Sequence, residues 1–154
     1  MHKVYVAGAS KNIERTEAFL RRIYDYPNLF EVTFDWTRDV RAAMAAGRFD
    51  SDLSDEQRAV FAMTDAMAVI AADTVVVLAE TPIVSGHAIE LGIAIAHRFE
   101  KPSKYIIVSG GGRRSIFTSP GLRPDGRSAL LVDAEVFDDD EAWTILYACA
   151  VSPR

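Results

Sequence analysis

Apolar residues recur along this chain with two periods, and the switches between them mark out the elements. Lys3 to Gly8 is a short apolar run closed by glycine, the pattern of a buried strand. Asn12 to Tyr26 has helical spacing, with Ile13, Phe19, Leu20 and Ile23 on one side and Glu14, Arg15, Glu17, Arg21 and Arg22 on the other. Pro27 ends it. Leu29 to Trp36 alternates as a strand does, placing Phe30, Val32, Phe34 and Trp36 on one face. Residues 37–54 are small and charged, without a clear period, and are expected to form a long loop of the kind that covers or lines a site. Ser54, followed three residues later by Gln57, carries helix-start chemistry, and the helix should run to about Ala72. Thr74 to Leu78 is nearly all β-branched, as expected for a central parallel strand covered on both faces. Ser85-Gly86 opens another helix that ends before Pro102, and Lys104 to Val108 is a further buried strand. Gly110 to Arg127 reads as a loop, Leu130 to Val132 as a short strand, and Asp138 to Val151 as a closing helix capped by Asp138, Asp139 and Asp140.

This alternation predicts one α/β domain spanning residues 1–154, a doubly wound parallel sheet of about five strands with helices on both faces. Ligands of such sheets bind beyond the carboxyl ends of the strands, so the segments after Ala7, Trp36 and Leu78 should rim the site.

Composition narrows the function. The chain has 154 residues, 49% hydrophobic and 25% charged, with a net charge of −5. That is an ordinary globular balance, with no basic footprint for a nucleic-acid polymer. The lone Cys149 excludes an intrachain disulfide and a cysteine-built zinc site, and His2 and His97 have no clustered partners, so neither metal nor cofactor is expected. With no signal-peptide pattern and no apolar run of membrane-span length, a cytoplasmic protein without membrane contact is expected.

Three acids, Asp65, Asp73 and Glu90, interrupt otherwise apolar sequence, and carboxylates in such surroundings cost free energy unless they are paired or used. Glu90 lies about one turn into the helix opened by Ser85-Gly86, where the macrodipole favours an ionised carboxylate by roughly 0.3–1 kcal/mol. Its neighbours Ala88, Ile89, Leu91, Ile93 and Ala94 are apolar, which weighs toward function over a surface pairing with Arg98. Asp65 and Asp73 stand about 80° apart around a helix and need not share a partner. Asp73, at the strand entrance, reads as a turn residue, while for Asp65 the functional and structural readings are even. Gly8-Ala9-Ser10-Lys11-Asn12 can offer backbone N–H groups to an anion but is neither a P-loop nor a dinucleotide fingerprint. His87 is within reach of a ligand, although facing solvent is its commoner fate. Trp36, at the end of its strand, is placed to stack on a base or to fill the core.

Val4-Tyr5-Val6-Ala7-Gly8, Asp65 with Asp73 eight residues on, and Gly86-His87-Ala88-Ile89-Glu90-Leu91-Gly92-Ile93-Ala94 together resemble the nucleoside 2-deoxyribosyltransferase family, whose relatives include deoxynucleoside monophosphate N-glycosidases. The resemblance covers most of the chain in order. It implies a flavodoxin-like fold, a homodimer or higher homo-oligomer in which neighbouring chains complete each site, and cleavage of the N-glycosidic bond of a 2′-deoxynucleoside or its 5′-monophosphate. By the same resemblance Glu90 is the nucleophile that forms a glycosyl-enzyme intermediate, Asp65 helps protonate the departing base, and Tyr5 orients the nucleophile. That division of labour requires burial to raise the Asp65 pKa while the helix terminus keeps Glu90 ionised. Gly8, Ser10, Lys11, Trp36, Ser85, Gly86 and His87 are the expected substrate contacts, with Asn12 near any phosphate. The stretch Arg113-Arg114-Ser115-Ile116-Phe117 would supply Ser115, Ile116 and Phe117 to a neighbouring chain.

The chain departs from the transferase pattern at Val84, where many transferases carry an Asp that contacts the base. This shifts weight from base exchange toward hydrolysis or an unusual acceptor, and it leaves a second expectation, a catalytically inactive nucleotide-binding or assembly module of the same fold.

Overall fold

The computed structural model describes residues 1–48, 52–80, 86–110, 120–122 and 128–152. Its elements run β1 (His2–Ala7), α1 (Ile13–Tyr24), β2 (Phe30–Val32), α2 (Trp36–Ala45), α3 (Asp55–Ala71), β3 (Thr74–Ala79), α4 (Gly86–Arg98), β4 (Tyr105–Gly110), β5 (Pro120–Leu122), β6 (Ser128–Leu130), β7 (Ala134–Val136) and α5 (Asp139–Val151). Five strands form one all-parallel sheet in the order β2-β1-β3-β4-β7. This is the flavodoxin-like, doubly wound arrangement, and its chain reverses direction across the sheet between β1 and β3.

Strand pleat divides the core in two. Tyr5, Ala7, Val75, Val77, Ile106 and Val108 face the side covered by Ala68, Val69 and Ala72 at the end of α3 and by Leu91, Ala94 and Ile95 of α4. Val4, Val6, Val76, Leu78 and Ile107 face the other side, against Phe19, Leu20 and Ile23 of α1 and Ala142 and Leu146 of α5. Local chemistry starts the helices where the spacing says it should. Gln57 N donates to Ser54 Oγ at 3.2 Å and Ser54 N to Gln57 Oε1 at 2.9 Å, a complete capping box for α3. Of Asp138, Asp139 and Asp140, it is Asp138 that caps α5, accepting from the backbone N–H groups of Asp140 and Glu141, while the other two lie in its first turn. Among the described residues no helix is long and apolar enough to cross a membrane.

The structure corrects several expectations. Residues 37–54 are not one long loop, because α2 occupies Trp36–Ala45. Its small residues Ala42, Ala43 and Ala45 are the best helix formers there are, and Arg41 ties the helix to α1 through Glu17 at 2.7 Å. The alternation of Phe34 and Trp36 around Asp35 mimics a strand, yet the chain turns at Asp35 and the strand stops at Val32. The last strand of the main sheet is Ala134–Val136 rather than Leu130 to Val132. Leu131 and Val132 instead pack on the α3/α4 side of the core, and Ser128–Leu130 pairs antiparallel with Pro120–Leu122 in a separate ribbon. Asp133 locks this path, accepting from Ile106 N at 2.8 Å and from Arg98 at 2.7 Å.

Candidate active site

Tyr5, Asp65 and Glu90 meet on the α3/α4 side of the sheet. Tyr5 projects from the middle of β1 and is wholly buried. Its phenol oxygen lies 2.9 Å from Asp65 Oδ1 and 2.5 Å from Glu90 Oε1. One oxygen therefore bridges two carboxyl groups that enter from different helices. Those carboxyl oxygens stand no more than about 5.4 Å apart, the two hydrogen bonds laid end to end. A phenol has a single proton to donate. For both contacts to be hydrogen bonds, the cluster must hold one further proton on a carboxyl group.

The electrostatics agree with that count. Burial pushes the Glu90 carboxyl up to about 7, with the nearby Asp65 adding to the rise and the Tyr5 hydrogen bond opposing it. Burial likewise raises Asp65 above the usual carboxylate range, against the Tyr5 hydrogen bond. Tyr5 itself is driven well above the ordinary phenol value by burial and by both acids, so it stays neutral. At Glu90 burial thus outweighs the helix terminus, and the carboxyl exchanges its proton near neutrality. A macrodipole effect of roughly 0.3–1 kcal/mol is smaller than the desolvation of a carboxylate on the covered face of a sheet. The two carboxyls titrate as a pair that shares a proton near neutrality.

The turn that follows β1 and Glu80 after β3 lie at the carboxyl end of the sheet, where ligands of this fold class bind. Gly8 leaves β1 against α1, where a Cβ would sit 2.2 Å from Thr16 Oγ1, so no larger residue fits. Ser10 and Lys11 lie on a single 3-10 turn, Ser10–Asn12, and Lys11 Nζ pairs with Glu80 Oε2 at 2.6 Å. Gly86 begins α4. His87, expected to face solvent, is instead 1% exposed, and neither ring nitrogen has a hydrogen-bond partner among the described residues. The correction has a geometric cause: position 87 lies on the same flank of α4 as Leu91 and Ala94, both fully buried against the sheet. Trp36 is not at a strand end. It opens α2, and its indole N–H donates to Val6 O at 2.9 Å, so its polar edge is already committed. Ser85, Val84, Ser115, Ile116 and Phe117 lie outside the described residues.

Asp73 stands apart from the site. Its carboxylate accepts from Lys3 N at 3.0 Å and Lys101 Nζ at 2.8 Å, tying the entrance of β3 to β1 and to the end of α4. Arg98 pairs with Asp133 and leaves Glu90 alone. Glu80 went unremarked among the acids of the sequence. The available signal was its place: an acid that directly ends the apolar run of β3, where this fold puts ligands.

No protein-family model matches the chain, and no curated protein matches it. Among solved structures, the chain is similar to a Clostridium botulinum CMP N-glycosidase, BcmB, with a TM-score of 0.54 and 18% sequence identity, covering 94% of this chain and 97% of that one. At that identity the likeness is one of fold, extending over nearly the whole of both chains.

Proposed function

We propose that this protein is an N-glycosidase or N-deoxyribosyltransferase that cleaves the N-glycosidic bond of a 2′-deoxynucleoside or its 5′-monophosphate. The observation that carries the reading is the single Tyr5 phenol bridging Asp65 and Glu90 at 2.9 and 2.5 Å. Retaining glycosidases use a nucleophile and an acid whose carboxyl groups stand roughly 5–5.5 Å apart and inverting ones roughly 6.5–9.5 Å; the shared phenol limits these two oxygens to no more than about 5.4 Å, on the retaining side of that divide. The glycosidase similar in fold adds support, as do the sequence motifs around Glu90.

The chemistry follows from the shared proton. In the productive state it resides on Asp65 and Glu90 is ionised. A Glu90 oxygen attacks the anomeric carbon, the bond to the base nitrogen breaks with its electron pair, and Asp65 passes its proton to the departing base. Water or a second base then attacks the same carbon and Glu90 leaves. Asp65 takes back the proton that the incoming group gives up. Tyr5 holds Glu90 in line throughout, and the negative charge that the pair carries stabilises the oxocarbenium-like transition state.

A base-release screen tests this. Deoxynucleosides, their 5′-monophosphates and the corresponding ribosides are incubated with the protein, with and without an acceptor base. At least one should release or exchange its base, and the rate should decline as pH rises above about 7, where the shared proton is lost. A folded protein that binds nucleotides and releases no base from any of them is an inactive module, and the proposal fails.

A further inference from the structure

Beyond the carboxyl ends of β1 and β3, where ligands of such a sheet bind, lies a second polar cluster that the proposed mechanism leaves unused. Glu80 leaves the end of β3, Lys11 leaves the turn after β1, and His87 sits in the first turn of α4. The Lys11–Glu80 pair is 2.6 Å long, with the Glu80 side chain 18% exposed and that of Lys11 69% exposed. Asn12 and His87 also bear on the Glu80 carboxyl, which Lys11 and Asn12 hold below its ordinary value. His87, at 1% exposure, presents two ring nitrogens that no described residue partners. A buried imidazole in that state has given up its water hydrogen bonds, a cost that a hydrogen-bonding ligand group would offset.

The first turn of a helix together with a lysine would ordinarily suit an anion. Here the anion is already present, as the chain's own Glu80 carboxylate. A phosphomonoester at this point would have to take Lys11 from Glu80 and then stand beside an uncompensated carboxylate. Burial also favours the uncharged imidazole of His87, which has one donor and one acceptor to offer. A hydroxyl group, itself donor and acceptor, matches that pair; a phosphate dianion only accepts. Reach assigns the hydroxyl. Glu90 addresses the anomeric carbon, and His87 is three residues nearer the start of α4, about 4.5 Å along the axis, the span from that carbon across the ring to the exocyclic 5′ position.

We propose that Glu80, together with Lys11 and His87, makes the enzyme select a nucleoside with a free 5′-hydroxyl over its 5′-monophosphate. The inference rests on the N-glycosidase reading for its location and adds the substrate class. The test compares kcat/KM for base release from one deoxynucleoside, its 5′-monophosphate and its 5′-deoxy analogue. The wild-type protein should favour the nucleoside over the monophosphate by about 100-fold, and Glu80→Gln should shrink that ratio by about tenfold or more. Loss of the 5′-hydroxyl should cost the wild-type protein about tenfold or more, and His87→Phe should lose much of that discrimination. A wild-type preference for the monophosphate, or a ratio unmoved in Glu80→Gln, overturns the inference and leaves the glycosidase reading intact. If neither substrate releases base, that reading fails. Calorimetric affinities of the same nucleoside and monophosphate then decide the selectivity alone: a nucleoside preference reduced in Glu80→Gln upholds it, and its absence overturns it.

Discussion

The molecule holds two polar clusters on opposite faces of the same sheet, and they solve the problem of burial in opposite ways. On the α1/α5 side, Arg15 grips Asp139 with two nitrogens at 2.9 and 2.7 Å and donates to Ala79 O at 2.8 Å, while Ser109 Oγ donates to Asp139 at 2.6 Å. Burial alone would raise the Asp139 carboxyl; Arg15 and Ser109 outweigh it and hold the group below its usual range. On the α3/α4 side, Asp65 and Glu90 share a phenol, no ion pair reaches either of them among the described residues, and both are raised. A compensated charge cluster ties elements together. An uncompensated one costs stability and persists where the groups are used. The contrast separates acids held by a cation from acids raised by burial more sharply than their sequence surroundings do.

Substitutions that invert the contrast should have effects of different kind. The largest is expected on activity. Glu90→Gln should lower base release by roughly 10³-fold or more, because an amide cannot form the glycosyl ester. Circular dichroism should show an unchanged fold, and activity retained within tenfold would remove Glu90 from its role.

On the opposite face the loss should fall on stability. Arg15→Met leaves Asp139 half-buried without its cation and should destabilise the fold by on the order of 1–3 kcal/mol in urea unfolding. Activity per folded molecule should remain. An Arg15→Met protein as stable as the parent would make that cluster ornamental.

A third effect, one of pH, sharpens the comparison most. The folded protein retains the Glu90 proton up to about 7, whereas an unfolded glutamate releases it near 4.5. The raised value means that stability falls as pH climbs through that window. Glu90→Gln should therefore be more stable than the parent at pH 8, by on the order of 1–3 kcal/mol, with the gain vanishing below about pH 4.5. For the Asp139 cluster the sign is reversed: its depressed carboxyl contributes stability at neutral pH that is lost as the solution is acidified. Parallel melting curves at both ends of the range would expose any error in either direction.

Much of the fold was legible because burial writes itself into periodicity. The β-branched run at 74–78, the amphipathic stretch of α1 and the Ser54–Gln57 box all fall where their patterns put them. Patterning failed where two physical signals coincide. Alternating aromatics around Asp35 imitate a strand, and an alanine-rich helix imitates a loop because its small residues carry little hydrophobic contrast. The site was legible in part. Glu90 and Asp65 stood out as acids in apolar sequence, while Glu80, adjoining a strand, did not.

By itself, then, the sequence determined the order of elements, the parallel sheet and the acids worth suspicion, since period, capping and propensity act over a few neighbouring residues. Tertiary structure decided what those acids are. Residues 5, 65 and 90 come from a strand and two helices, and only their packing brings one phenol between two carboxyls. The proton they share is set by mutual distance and lost solvent, quantities that exist only once the chain has folded. The same holds for His87, turned from the surface into an unpartnered position by the helix on which it sits.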